Sequence, residues 1–187
     1  MADVPAGLRH RIALLASDHE SGASEILDEV VRVLRDALRA GAPIKPVARA
    51  LCRAQPSMAP VWNSALEALA SAHAPERFER FVERVARAPA ALARFGTDCF
   101  SDDTPHAPLR LVTLSFSRSV LVVVDALARA RTVRVACSEG RPALEGRRLA
   151  SHLAASGTAV TCFSDAALGH ALASADAVLV GADAVAP

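Results

Sequence analysis

In the first half of the chain, apolar positions return with the period of an α-helix. Ile26, Val30, Val33, Leu34, Ala37 and Leu38 form one such stripe. Ser21-Gly22-Ala23-Ser24 precedes it with small, cap-forming residues, and Glu25 places an acid in the first turn, where it complements the helix dipole. Gly41 and Pro43 end this helix. Pro46 opens a short one with Val47, Ala48 and Leu51. Pro56 and Pro60 bracket a turn or a helix start, after which Trp62, Leu66 and Leu69 mark another helix. A further helix follows Pro75, with Phe78, Phe81, Val82 and Val85 on one face. Pro89 is expected to kink or break it before Leu92, because proline lacks the N–H that a helix interior needs.

Gly96 to Pro108 reads as a linker: polar, acidic and holding two prolines. Beyond it the period changes. Short apolar runs at Leu109–Leu114, Thr132–Cys137, Thr158–Phe163 and Asp176–Val180 predict strands. Val120–Ala130, Glu145–Ser156 and Ala166–Ala173 predict the helices between them. Strands alternating with helices imply βαβ units and a parallel sheet. Trp62, Phe78, Phe81, Leu111, Val122, Val135 and Val178 are the expected core.

Composition changes this picture little. In the 187 residues, 52% are hydrophobic and 22% charged, as in ordinary globular domains. Lys and Arg number 21 against 20 Asp and Glu, so no global field draws the chain to nucleic acid or to an anionic membrane. No apolar run approaches the ~20 residues that span a bilayer. Met1-Ala2-Asp3-Val4-Pro5 lacks the basic-then-apolar order of a signal peptide, so a cytoplasmic protein is expected. Lys45 is the only lysine, which leaves no other residue for Schiff-base or P-loop chemistry. Cys52, Cys99, Cys137 and Cys162 are widely separated, and the six histidines are scattered, so neither a zinc site nor any other metal or cofactor is expected. The cysteines read as reduced thiols packed as small hydrophobes.

In an open parallel sheet, ligands bind at the carboxyl ends of the strands. Polar residues collect at all four ends here: Ser115-Phe116-Ser117-Arg118, Ser138-Glu139-Gly140-Arg141-Pro142, Ser164-Asp165 and Gly181-Ala182-Asp183. Arg118 and Arg141 could contact a phosphate or simply form surface ion pairs, for instance with Glu139 or Glu145. Arg147 and Arg148 read as a solvated helix face. Gly22 and Ser24 could offer backbone N–H groups and a hydroxyl to a phosphate, or serve only as a cap.

The same blocks resemble one superfamily. Ser138-Glu139-Gly140-Arg141-Pro142 with Leu144-Glu145-Gly146-Arg147-Arg148-Leu149-Ala150 resembles its "T-E-S-R-P-x-x-E-G-x-x-L-A" block. Val180-Gly181-Ala182-Asp183-Ala184-Val185 resembles "V-G-A-D-x-[IV]", and Leu111–Arg118 resembles "I-L-T-H-x-x-S-R". Asp18–Ser24 and Gln55–Pro60 resemble the "D-x-x-x-G-A-S/G" and "R-P-S/T" segments, with Gln55 where arginine is usual. The superfamily holds the alpha, beta and delta subunits of translation initiation factor 2B, with ribose-1,5-bisphosphate isomerase and methylthioribose-1-phosphate isomerase. The resemblance implies an α/β fold: a helical N-terminal domain over residues 1–97, then a Rossmann-like parallel-sheet domain over 108–187. The family pattern continues beyond the "G-A-D" strand, so the resemblance also implies a fold truncated at its C-terminus. It further implies assembly as a homodimer or with related subunits, while the balanced charge and the lack of a spanning apolar run leave no direct contact with nucleic acid or membrane expected.

Two functions follow from the resemblance. One is binding of a phosphorylated sugar or nucleotide in a regulatory or binding role, with Gly22, Ser24, Arg118, Glu139 and Arg141 as ligand contacts. The other is aldose–ketose isomerisation of a sugar 1-phosphate, with Asp183 and Ser115 as the catalytic pair. The isomerases carry cysteine where this chain has Ser115, whose hydroxyl is far less acidic than a thiol. A subunit that serves assembly alone is the third expectation.

Overall fold

The computed structural model describes residues 4–18, 21–100 and 108–182. They fall into two units, one reaching to Ala86 and the second spanning Arg87–Gly181, so that the division lies inside a helix.

The first unit is helical: α1 (Ala6–Ser17), α2 (Ala23–Arg39), α3 (Ile44–Ala54), α4 (Ala59–Ala70) and the start of α5 (Pro75–Asp98). α2, α3 and α4 occupy the stretches their periodicity predicts. α1 was not expected, and its start has neither a capping side chain nor an acid in the first turn. Its Leu8, Ile12 and Leu15 join Ile26, Val30, Val33 and Leu34 of α2, Val47 and Leu51 of α3, and Phe78 in one core. Arg11 on α1 bridges Glu29 and Asp36 of α2 at 2.7 and 2.6 Å.

Three expectations about these helices and the linker are corrected. α4 buries Val61, Ser64, Ala65 and Ala68, not its large residues. It packs against both α2 and α3, and a small-residue stripe lets helices approach closely. Trp62 is therefore left 47% exposed, its indole N–H donating to the Pro56 carbonyl at 3.0 Å. Pro89 does not break α5, which runs through it to Asp98. The proline is exposed, and strong helix formers on both sides carry the helix past it. Gly96, read as the start of the linker, lies in this helix. A β-carbon there would meet Val123 at 2.5 Å, so glycine serves close packing rather than a break.

The second unit is a four-stranded parallel sheet of order β3-β2-β1-β4, with β1 (Leu109–Thr113), β2 (Val133–Ser138), β3 (Ala159–Phe163) and β4 (Ala177–Leu179). α6 (Arg118–Ala130) and α7 (Glu145–Ala155) connect the first three strands, and a single 3₁₀ turn leads into α8 (Leu168–Leu172) before β4. Leu111 pairs with Val135 on one side and Ala177 on the other. Leu109, Leu111, Val133, Val135 and Cys137 alternate onto one face, where Val120, Leu121, Val124 and Leu127 of α6 and Leu149 and Leu153 of α7 cover them. On the opposite face, α8 and the strands line a groove of about 370 Å³ with Arg110, Arg134, Thr161 and His170 on its walls. Asp176 fixes β4 to β1 by accepting the Arg110 main-chain N–H at 2.7 Å and its guanidinium at 2.9 Å.

Of the expected core in this unit, Leu111 and Val135 are buried, Val122 is half-buried and Val178 is 51% exposed. Val178 lies on the outermost strand, where the described chain offers it no neighbour on that side. In the helical unit Phe78 is buried and Phe81, 5.7 Å away ring to ring, is half-buried. Among the described residues, no helix is long and apolar enough to cross a membrane.

Candidate functional site

β1 leads through α6 to β2 on one side, whereas β4 enters on the other side of β1. The direction of winding therefore reverses between β1 and β4. A crevice opens at such a reversal, beyond the carboxyl ends of the strands.

The chain is unusual at this point. Ser115 follows β1 with φ at 57°, in the left-handed region that non-glycine residues seldom occupy. Ser117 caps α6, its hydroxyl oxygen accepting the Val120 N–H at 3.4 Å. Gly181 follows β4 and closes on this cap: a β-carbon at Gly181 would lie 2.6 Å from Ser117 Oγ and 3.0 Å from its Cβ. At the end of β1, Thr113 is buried, and its Oγ1 has no hydrogen-bond partner among the described residues. Arg118 is exposed in the first turn of α6, where unpaired helix N–H groups create positive potential.

One strand over, the end of β2 carries a charge cluster. Glu139 is buried and accepts from Arg141 Nε at 2.5 Å and Arg147 Nη2 at 2.7 Å. The two arginines are 68% and 56% exposed, so a single buried carboxylate orients two guanidiniums that face solvent. Arg141, and after it Arg147, hold the Glu139 carboxyl below the usual carboxylate range. From the end of β3, Asp165 accepts the main-chain N–H groups of Gly140 and Arg141 at 2.8 and 2.9 Å. Those two bonds, with that of Arg141 foremost, lower its pKa. Gly140 takes φ at 70°, which a glycine adopts without strain, and the Arg141–Pro142 peptide is cis.

α7 is bound tightly to this corner. The Gly146 N–H donates to the Glu139 carbonyl at 3.1 Å, and Leu144 precedes the helix with φ at 56°. Arg148 lies over the Phe116 ring at 4.9 Å, and His152 meets that ring edge-on at 6.3 Å. The loop after β1 is thereby held to α7.

Of the residues singled out in the sequence, Glu139 and Arg141 meet directly, and Ser115 and Arg118 follow the neighbouring strand. Asp183 lies outside the described residues. Gly22 and Ser24 belong to the helical unit. The Gly22 N–H is taken by Glu25 at 2.8 Å and the Ser21 N–H by Asp18 at 2.9 Å. That helix start therefore presents carboxylates, and the depression lined by Asp18, Glu25 and Glu29 alongside Arg11 is acidic. Gln55 is buried and donates to the Leu15 and Asp18 carbonyls at 2.6 and 3.2 Å, closing the end of α1.

Sequence reasoning missed Arg147, Arg148, Phe116 and the structural use of Asp165. Arg147 and Arg148 are exposed, as read, yet each engages a residue of a strand end. The signal available was their placement in the first turn of the helix that follows the β2 end.

Comparison with solved structures matches this architecture. The Pyrococcus horikoshii OT3 translation initiation factor eIF-2B superposes with a TM-score of 0.80 at 23% identity, over 96% of this chain and 67% of that one. A chain of the tetrameric eIF2B-beta2-delta2 complex from C. thermophilum gives 0.74 at 18% identity, over 96% and 67%. The eIF2B delta subunit from Chaetomium thermophilum gives 0.75 at 17% identity, over 98% and 77%. At these identities the likeness establishes the fold, an α/β arrangement of helical and parallel-sheet parts. The family model supplies the rest: residues 8–187 match the initiation factor 2 subunit family, and the chain belongs to that family.

Proposed function

We propose that this chain binds a phosphorylated sugar or nucleotide at the carboxyl edge of its sheet, in a binding or regulatory role within an assembly of copies or related subunits. The observation that carries the reading is the left-handed Ser115 at the winding reversal, held between a capped helix start and the close approach of Gly181. Backbone strain in a crevice persists only where the surroundings impose it, and such positions cluster at ligand sites. An anion there would meet the N-terminus of α6 and Arg118. Arg141 and Arg147, held in place by Glu139, would supply further positive charge from the adjacent strand. The carboxylates around Gly22 repel an anion, so the proposed site is confined to the α/β unit. Asp183 remains part of the proposal as the group that would meet sugar hydroxyls.

Isomerisation is the weaker reading. It requires proton transfer between neighbouring atoms of the sugar, and the family's isomerases place a thiol at the position of Ser115. Among the described residues, no base is hydrogen-bonded to the Ser115 hydroxyl. Assembly with related subunits draws support from the C. thermophilum complex, whose chains share this fold.

Thermal denaturation of the chain with AMP or ribose phosphates tests the proposal. A ligand at ~100 times its dissociation constant adds about 2.7 kcal/mol to stability. A rise in Tm that Arg141→Ala removes supports the reading. No shift with either ligand class overturns it, and turnover of a sugar 1-phosphate that Ser115→Ala abolishes establishes the isomerase instead.

A further inference from the structure

Cys137 near the end of β2 and Cys162 near the end of β3 are register partners in adjacent parallel strands. Partners in a sheet project from the same face, and neighbouring strands run about 4.8 Å apart. That spacing falls within the roughly 4.4–6.8 Å between α-carbons that a disulfide accepts. The environments of the two thiols differ. Cys137 is completely buried, its Sγ donating to the Gly146 carbonyl at 3.6 Å, whereas Cys162 is exposed on the outer strand. This corrects the expectation of four thiols packed as small hydrophobes, since Cys99 is exposed as well. Cys162 also acts on Cys137 directly: burial pushes the Cys137 thiol up to about 12, and the neighbouring Cys162 adds to the rise.

We propose that Cys137 and Cys162 form a dithiol modification site, which a peroxide converts into a cross-strand disulfide between β2 and β3. The two partners have separate tasks. Cys162, the accessible thiol, meets the oxidant: its sulfur takes one oxygen from hydrogen peroxide, giving a sulfenic acid and one water. The Cys137 sulfur then attacks the Cys162 sulfur. The S–O bond breaks, the hydroxyl leaves with the Cys137 proton as a second water, and the S–S bond forms. Two thiols are oxidised and one peroxide is reduced, so atoms and electrons balance. Disulfide formation removes the Cys137 bond to Gly146. The bridge lies one residue before Ser138, at the base of the Glu139 cluster. The inference does not depend on what binds at the sheet edge.

The test is thiol mapping of the full chain. The protein is exposed to stoichiometric hydrogen peroxide, quenched, unfolded in iodoacetamide, digested and weighed. A linked peptide pair containing Cys137 and Cys162, lighter by two hydrogens than the separate peptides and released by dithiothreitol, is the expected result. Cys52 and Cys99 should be alkylated in the same sample, and Cys99→Ser should leave the linked pair unchanged. In Cys162→Ser, Cys137 should become fully alkylatable after the same treatment. Wild-type Cys137 that remains alkylatable after oxidation overturns the proposal. Recovery of Cys162 as a sulfinic acid, or joined to Cys99 of a second copy, overturns it as well.

Discussion

Gly146 rests directly against the main-chain carbonyl of Ser138, so closely that a β-carbon at Gly146 would overlap the carbonyl oxygen. The contact sets the first turn of α7 on the end of β2 and brings Arg147 to Glu139. Gly146→Ala has no route to relief, because the obstructing group is backbone. It should destabilise the α/β unit by roughly 3 kcal/mol, at the upper end of overpacking. Urea denaturation followed by circular dichroism measures this, and a loss under ~0.5 kcal/mol would show that α7 can shift.

Gly181 offers a milder version of the same experiment. The obstacle to a β-carbon there is the Ser117 side chain, not backbone. Gly181→Ala should leave the cooperative unfolding transition nearly in place while weakening any ligand at the winding reversal by about tenfold, or about 1.4 kcal/mol. Isothermal titration with AMP or a ribose phosphate reads the change. Adding Ser117→Ala removes the nearer of the two contacts and should recover part of the affinity.

Acid should loosen the cluster at the end of β2. Glu139 and Asp165 both have folded pKa values below their ordinary ones, Glu139 through Arg141 and Arg147, Asp165 through the N–H groups of Arg141 and Gly140. A lowered carboxyl contributes stability that is present above the unfolded pKa and lost as pH falls through the folded one. Tm should therefore stay level from neutral pH to about 5 and decline progressively below it, as the unfolded carboxyls, with ordinary values of about 4, bind protons. Glu139→Gln should lower Tm at neutral pH and flatten that decline. An unchanged acid slope in Glu139→Gln would separate Glu139 from the effect.

In the helical unit, Gln55→Ala should cost about 1–3 kcal/mol, since it leaves the Leu15 carbonyl without its 2.6 Å donor in a buried position. Amide exchange over the last turn of α1 should accelerate before global unfolding. Exchange unchanged in that turn would indicate that water replaces the amide.

Phe78 is 1% exposed and holds the start of α5 against the core. Phe78→Ala should cost about 3–5 kcal/mol. Leu92 is 39% exposed on the same helix, and Leu92→Ala should cost little by comparison. Comparable losses for the two, measured by thermal denaturation, would mean that Leu92 is covered in solution.

The sequence by itself determined the order of elements from α2 onward. Periodicity of 3.6 over Ile26–Leu38 and short apolar runs from Leu109 onward are local properties, and each reports whether one stretch has an apolar face to bury. Alternation of strand and helix then required a parallel sheet, and with it the gathering of Ser115, Arg118, Glu139 and Arg141 on one edge. Local patterning could not decide which face of α4 turns inward, because that depends on how near its neighbours approach, and the stripe of Val61, Ser64, Ala65 and Ala68 won over Trp62. Nor could it choose between a kink and a break at Pro89, where exposure and the helix formers around it let the helix continue. The partners of the charged residues were equally out of reach. Arg147 meets Glu139, and Asp165 takes the amides of Gly140 and Arg141, because the sheet places β3 beside β2 and Gly146 lets α7 close on the strand end. The pairing of Cys137 with Cys162 likewise exists only through strand register, which joins residues far apart in the chain by hydrogen bonds that no local pattern specifies.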